Sequence, residues 1–138
     1  IITTTTMGTT MTTSIWCLFI ATLLPFLAKG PVAYAMNKLG GYNNNYPRDQ
    51  QSKLTGFGAR ALAAHQNAFE SLIIFAPAVL LAIATQNTDK NIVLLAIVHV
   101  CARVLYNVLY LVNIDKLRSL VWGVATLSSF AIIWQCIP

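Results

Sequence analysis

Charged side chains are scarce in this sequence of 138 residues. Only 9% of the residues are Asp, Glu, Lys or Arg, whereas 57% are hydrophobic, and the mean hydropathy is +0.64. Soluble domains carry about 25% charged residues, so this chain has too little polar surface to be one. The composition excludes a soluble protein and indicates a small polytopic membrane protein.

Cysteine is also sparse. Cys17, Cys101 and Cys136 are odd in number, lie in apolar surroundings and show no CxxC or Cys/His spacing. Buried free thiols are therefore expected. Neither a disulfide framework nor a metal site is indicated.

The N-terminal segment, residues 1–13, is rich in threonine and has no periodicity. Because the sequence begins with Ile1 instead of methionine, we expect processing or an incomplete start, with Met7 and Met11 as alternative starts. The segment lacks a basic region and a clear cleavage site, so no cleaved signal peptide is predicted. Residues 14–138 are predicted to form a single domain.

Four apolar segments are long enough to cross a membrane, which takes about 20 helical residues. They cover residues 14–36, 57–84, 91–112 and 117–137. The first contains Pro25 and Pro31, and we predict one kinked helix rather than two half-helices, since neighbouring helices can satisfy the freed backbone groups. Residues 37–56 are predicted to be a loop, whereas the other connections are short and favour antiparallel neighbours. The predicted fold is an all-α, up-down membrane four-helix bundle.

The basic residues predict the orientation of this bundle. The first and third connections with their flanks carry six basic residues, whereas the second carries only Lys90. The positive-inside rule places the long first loop on the cytoplasmic side, or its equivalent, of a bacterial inner membrane or an organellar membrane. The net charge of +5 is explained by this topology, and no nucleic-acid partner is predicted. The six basic residues are Lys38, Arg48, Lys53, Arg60, Lys116 and Arg118.

Polar residues interrupt the second and third spans. Arg60, Asn67 and Glu70 share one face of the second helix, and a charge at bilayer depth costs at least about 2.5–3.5 kcal/mol. On the third helix a polar-aromatic stripe includes Arg103 at a depth similar to that of Glu70. We therefore predict an intramembrane Glu70–Arg103 ion pair, which either only fixes the helix register or also takes part in a site. The stripe consists of His99, Arg103, Tyr106 and Tyr110.

The other polar residues allow more than one interpretation. Asn67 fits either an interhelical hydrogen bond or a binding site. His99 is expected to be a hydrogen-bonded core histidine, and His65 to be structural or solvated. Tyr110 and Arg118 lie at the predicted cytoplasmic mouth, where they can polarise a thiol or hold a carboxylate. An aromatic-belt tyrosine and a positive-inside arginine are the alternative explanation.

Two motifs occur in order along the chain. The second span carries Arg60-x4-His65-x-Asn67-x2-Glu70, followed by Phe75 and Pro77, and this resembles the second helix of the MAPEG family, the membrane-associated proteins in eicosanoid and glutathione metabolism. The third span carries Arg103-x2-Tyr106-x3-Tyr110, and Arg118-Ser119 stand at the beginning of the fourth; these residues resemble the third helix of that family and the start of its fourth. The resemblance covers residues 14–138 and is closest to the bacterial-type branch.

This resemblance implies a homotrimer that binds glutathione between adjacent subunits, on the cytoplasmic side and beneath the first loop. It implies that Arg118 stabilises the glutathione thiolate, and that Lys29 or Lys38 adds an anion contact from the first helix. The residues that it places in the glutathione pocket are Arg60, Asn67, Glu70, Arg103 and Tyr110.

Two departures from the family pattern weaken the expectation of activity. Glutathione-using members commonly have arginine at the positions of Ala63 and Gln66, and a lost charge-assisted contact is worth about 1.5–3 kcal/mol. The connection between Tyr110 and Arg118 is also one residue shorter than in prostaglandin-synthesising relatives, which would aim Arg118 differently. Neither departure affects the predicted fold.

The predicted function is that of a membrane-embedded glutathione transferase or peroxidase acting on hydrophobic electrophiles or hydroperoxides. The alternative is a non-catalytic member of the same fold that serves as a structural or accessory subunit of a larger membrane complex. A transporter is less supported, because four short spans with one ion pair offer little for alternating access.

Overall fold

The computed structural model describes the backbone of residues 2–138 and the side chains from residue 6 onward. The described chain is all-helical, and four of its helices are long and apolar enough to cross a membrane. This agrees with the predicted four-helix membrane bundle, and the protein is an integral multi-pass membrane protein. The helices are α1 (Ile2–Asn37), α2 (Pro47–Ser52), α3 (Gly56–Ala84), α4 (Lys90–Leu111) and α5 (Asp115–Gln135).

Helix α1 continues through both of its prolines, Pro25 and Pro31, so the prediction of one helix is confirmed. It also extends back through the threonine-rich segment. There the hydroxyls of Thr12 and Thr13 donate to carbonyls one turn earlier, at distances of 2.8 and 2.9 Å. Such bonds satisfy a threonine hydroxyl within its own helix, which allows this segment to be helical in apolar surroundings.

The first connection contains the short helix α2, so the prediction of a loop throughout residues 37–56 is wrong. Pro47 occupies the start of α2, where its fixed φ favours a helix. Gln50 then anchors the segment to the end of α1. Its Nε2 donates to the carbonyls of Met36 and Gly41 at 3.1 and 2.7 Å, and its Oε1 accepts from the backbone N–H of Asn43 at 2.9 Å. These bonds hold the connection against the bundle.

In the bundle, α1 packs mainly against α3, and α4 packs mainly against α5. Helix α3 also contacts α4 and α5, so the second, third and fourth spans meet around a common interior. Phe75, Ile92 and Ile132 are fully buried there. The outer surface is rich in large apolar side chains, and Leu127 and Trp134 are 69% and 75% exposed in the single chain. Such a surface suits lipid or a second subunit.

A tight turn joins α4 to α5. Asn113 has φ of +63°, a left-handed conformation that asparagine tolerates better than most residues. The backbone N–H of Asn113 donates to Tyr110 O at 3.2 Å, and that of Ile114 donates to Leu109 O at 3.0 Å. This pair of bonds is a Schellman motif. It reverses the chain within a few residues and brings the start of α5 beside the end of α4.

The start of α3 approaches α1 closely at Gly58. A Cβ at this position would lie 3.0 Å from Ala35 Cβ and 2.9 Å from Leu54 Cδ2. Because overpacking typically costs about 1–3 kcal/mol, we expect Gly58→Ala to lower the thermal unfolding midpoint of the purified protein in detergent. Gly123→Ala is the matched control, since nothing lies within 4 Å of its added Cβ. Equal midpoints for the two variants would contradict this packing.

Candidate functional site

An open cleft of about 290 Å³ lies between α3, α4 and α5. It is at the end of the bundle where α4 turns into α5, which is also the end where α3 begins. This is the side that carries most of the basic residues of the connections. The cleft is lined by Asn67, Tyr106, Tyr110, Arg118, Ser119 and Trp122.

Arg118 provides the positive charge of this cleft. Its guanidinium carbon lies 4.1 Å from the centre of the Tyr110 ring, in the geometry of a cation–π contact. The α4–α5 turn creates this contact by placing the first turn of α5 against the last turn of α4. Among the described residues the only ion pair joins Lys53 to Asp49, so no carboxylate of the described chain neutralises Arg118. The guanidinium is therefore available to an anion.

Asn67 supplies an amide to the opposite wall. Its Nδ2 donates to Glu70 Oε2 at 2.9 Å, and its Oδ1 is buried without a hydrogen-bond partner in the described chain. Buried polar atoms are nearly always satisfied in native proteins. An unsatisfied acceptor on the wall of a cleft suits a ligand N–H group. The bond to Glu70 is within one helix, so the structure does not give Asn67 the interhelical bond that the sequence also allowed.

The predicted ion pair between Glu70 and Arg103 is wrong within one chain. Arg103 is 2% exposed, and its guanidinium carbon lies 4.1 Å from the centre of the Tyr106 ring. Glu70 is exposed on the surface of the protomer and interacts with Arg103 only at longer range. The sequence places the two residues at a similar depth in the membrane, but depth does not determine the side of its helix on which each side chain lies. Arg103 turns into the bundle, whereas Glu70 turns outward to Asn67.

The structure brings three of the six predicted site residues into the cleft, namely Asn67, Tyr110 and Arg118. Arg60 instead donates to the carbonyl of Leu111 at 3.4 Å, at the C-terminal end of α4, where a cation interacts favourably with the helix dipole. Glu70 and Arg103 lie next to the cleft but do not line it. The roles of all six in binding remain predictions.

Three further residues line the cleft: Tyr106, Ser119 and Trp122. Tyr106 belonged to the stripe on the third span, and Ser119 to the second motif, although neither was among the predicted site residues. Trp122 follows Arg118 by four residues and so shares its helix face. That spacing was the signal that could have identified it.

Both histidines contact backbone carbonyls of neighbouring helices. His99 is 2% exposed, its Nδ1 lies 2.9 Å from the carbonyl of Ala125, and its ring stacks on Phe75 with centres 3.9 Å apart. The prediction of a hydrogen-bonded core histidine is confirmed. His65 Nδ1 lies 2.7 Å from the carbonyl of Pro25 and ties α3 to α1. A carbonyl only accepts, so in both residues Nδ1 carries the proton.

A second open cleft, of about 340 Å³, lies between α1, α2 and α3 and shares no lining residue with the first. Lys29 and Arg48 line it and lie within electrostatic range of each other. No carboxylate is among its lining residues. The other lining residues are Phe26, Tyr42, Pro47, Gln51, His65 and Phe69. The chain therefore carries a second cationic surface near the same end of the bundle.

Four helices that are long and apolar enough to cross a membrane, with a cationic, tyrosine-lined cleft at one end of their bundle, define a polytopic membrane protein. The chain belongs to the MAPEG family, which it matches over residues 13–138. The resemblance seen in the two motifs is thereby confirmed. Members of this family use glutathione, and membership makes the protein glutathione-transferase-like or related at the family level. No curated protein and no solved structure matches the chain.

The contact between Arg103 and Tyr106 leads to a stability prediction. We expect Tyr106→Phe to keep the thermal midpoint near that of the unmodified protein, because the ring face remains. Tyr106→Leu removes the ring and should cost about 0.5–2 kcal/mol, the range for a cation–π contact. Thermal unfolding in detergent measures both. A Tyr106→Phe variant as unstable as Tyr106→Leu would show that the hydroxyl, and not the ring, supports the buried guanidinium.

Proposed function

We propose that this protein is a membrane glutathione transferase or peroxidase that acts on hydrophobic electrophiles or hydroperoxides at the cytoplasmic-equivalent face. The observation that carries the proposal is the placement of Arg118 against Tyr110 in an open cleft, without a carboxylate partner in the described chain. Family membership supplies the ligand class, because glutathione is the thiol that MAPEG proteins use.

Arg118 is proposed to activate the glutathione thiol. A thiol is only a few per cent ionised near neutrality, and an adjacent cation lowers its pKa and raises the fraction of reactive thiolate. In conjugation, the thiolate sulfur forms a C–S bond with the electrophile, and the leaving group departs with its bonding electrons. In peroxide reduction, the thiolate sulfur attacks the terminal oxygen of the hydroperoxide and the O–O bond breaks. A sulfenic acid forms, and the alkoxide leaves and takes a proton from water to become the alcohol. A second glutathione then converts the sulfenic acid to a disulfide and water.

Hydrophobic substrates are proposed to arrive through the lipid. The cleft wall includes Trp122, and this large apolar side chain is 47% exposed in the single chain. An apolar molecule dissolved in the bilayer can therefore reach the cleft from the side. The thiol enters from water at the same end of the bundle.

A homotrimer remains part of this proposal. Glu70 lies about 21 Å along α3 from its first residue, Gly56, at 1.5 Å per residue, and its side chain is exposed in the single chain. A carboxylate exposed to hydrocarbon is costly, which favours a neighbouring subunit at this surface. The second cationic cleft, with Lys29 and Arg48, would then be available to a ligand shared between protomers.

The first test of the activity measures thiolate formation. We expect purified protein with glutathione to show the ultraviolet absorbance of the thiolate, and Arg118→Ala to lose it while keeping the oligomer. Lys116→Ala is the matched control, because it removes the same charge from the same turn at a residue outside the cleft. A thiolate band that survives in Arg118→Ala would show that another group activates the thiol.

Binding is tested separately by thermal unfolding. A ligand that binds only the folded protein stabilises it by about 2.7 kcal/mol at a concentration 100 times its Kd, so millimolar glutathione should raise the midpoint. S-methylglutathione has the same carboxylates without the thiol and should do the same. If neither shifts the midpoint, the cleft is not a glutathione site.

The alternative function is that of a non-catalytic subunit in a larger membrane complex. It is favoured by the neutral residues Ala63 and Gln66, at positions where the family resemblance implies arginine in glutathione-using members. Under this alternative glutathione would not shift the thermal midpoint. Other polypeptides would co-purify with this chain in a fixed ratio after mild solubilisation. A homogeneous oligomer of this chain that responds to glutathione would exclude it.

Glu70 tests the proposed trimer. Glu70→Ala should reduce the fraction of oligomer measured by light scattering in detergent, because it removes the charged partner of a subunit contact. Glu70→Gln retains hydrogen bonding to Asn67 and should have a smaller effect. Asp115→Ala, which also removes an exposed carboxylate but at the end of the bundle, is the control. An unchanged oligomer in Glu70→Ala would place the side chain outside any interface.

A further inference from the structure

Arg103 contains a donor without a protein partner. The residue is 2% exposed, and its Nη2 is buried with no hydrogen-bond partner in the described chain. The cation–π contact with Tyr106 engages the face of the guanidinium and leaves its N–H groups, which lie in the guanidinium plane, to other acceptors. A buried charged donor without an acceptor is strongly destabilising. An acceptor is therefore required at this position.

Arg103 is one of the residues that line a small cavity between α1, α3 and α4. Its volume is about 10 Å³, and a cavity of about this size holds one water. Two of its lining residues, Ser71 and His99, carry polar atoms that complement Arg103. The other lining residues are Ala21, Leu24, Ala68 and Leu72.

The hydrogen-bond chemistry of these groups requires an intermediary that both accepts and donates. Arginine is a donor only. The Nδ1 of His99 donates to the carbonyl of Ala125 at 2.9 Å, so Nε2 of the neutral ring is an acceptor. Ser71 Oγ lies 3.5 Å from that Nε2, at the limit of a hydrogen bond. Neutral His99 is also the form that suits a nearby arginine, because a second positive charge would be repelled.

We propose that one ordered water binds in this cavity, accepts a hydrogen bond from Arg103 Nη2 and donates to His99 Nε2 and Ser71 Oγ. Three partners are typical of a buried water. An anion such as chloride could accept from Arg103, but it could not donate to the unprotonated Nε2. The chemistry of the cavity therefore favours water over a halide.

This water makes Ser71 and His99 positioning residues for the cleft. The chain of contacts runs from Ser129 and Ala125 on α5, through the His99 ring and the water, to Arg103, which stacks on Tyr106. Tyr106 is a wall of the candidate glutathione cleft. The positioning role rests on the proposed function, whereas the water site does not.

The test begins with a structure of the purified protein without glutathione, at a resolution that shows ordered water. We expect a peak within hydrogen-bond distance of Arg103 Nη2, Ser71 Oγ and His99 Nε2. A bromide soak separates the two occupants by anomalous scattering. A cavity without a peak, or one that binds bromide, overturns the water site whether or not the protein uses glutathione.

The variant Ser71→Val fills the cavity and should remove the water. Ser128→Val is its control, since Ser128 is also a serine of a membrane helix, but it donates to the carbonyl of Val124 in its own helix at 2.8 Å and does not line the cavity. We expect Ser71→Val to move Arg103 relative to Tyr106 and to weaken glutathione binding severalfold, with Ser128→Val unchanged. Ser71→Ala leaves space for the water, and its glutathione affinity should lie between those of Ser71→Val and Ser128→Val.

These outcomes distinguish the two proposals. If the water is present and unmodified protein does not bind glutathione, the water site stands, and both the proposed function and the positioning role that rests on it fail. If Ser71→Val excludes the water but leaves Arg103 in place and glutathione affinity unchanged, the positioning role is wrong while the proposed function stands.

Discussion

The structure depends on how a membrane bundle satisfies its buried polar groups. Hydrocarbon offers no hydrogen bonds, so each charge or amide at bilayer depth needs a protein partner, a cavity or water. This chain relies on aromatic faces more than on carboxylates. Arg103 stacks on Tyr106 inside the bundle, and Arg118 stacks on Tyr110 at its end. Because a ring supports a cation without neutralising it, the charge at the cleft remains available to a ligand.

Most of the fold could be predicted from the sequence, because hydropathy and length define a membrane span almost independently of tertiary structure. The three later spans begin and end within two residues of their predicted limits. Helix α2 was missed for the opposite reason. Its six residues are too few to be helical alone, and they depend on the contacts of Gln50 with the end of α1. Pro47 and the Asp49–Lys53 spacing were the only local signals.

The site could be predicted in part, and the missing part has a geometric cause. Tyr110 and Arg118 were found because the sequence places both at the predicted cytoplasmic mouth and because both belong to the family motif. Helical periodicity identifies residues that share a face of one helix. It does not say which face of one helix meets which face of another. Glu70 and Arg103 were placed at similar depth, yet α3 packs against α1, α4 and α5 so that Glu70 points outward. Only the packing of the whole bundle determines which face of each helix is turned toward the interior.

The distribution of charge around the protomer bears on how the proposed ligand would be held. Glutathione carries two carboxylates, but the cleft between α3, α4 and α5 offers one guanidinium, that of Arg118. Two further cations, Lys29 and Arg48, line a separate cleft between α1, α2 and α3 that shares no residue with the first. One chain therefore does not present both sets of charges to a single molecule. In a trimer with a three-fold axis, each interface joins two different surfaces of the protomer. The α1 surface of one protomer can therefore meet the α4–α5 surface of the next. The proposed thiol chemistry and the proposed trimer are for this reason linked. Arg118 is the one cation that lines this cleft within a protomer, and a neighbouring protomer can supply others.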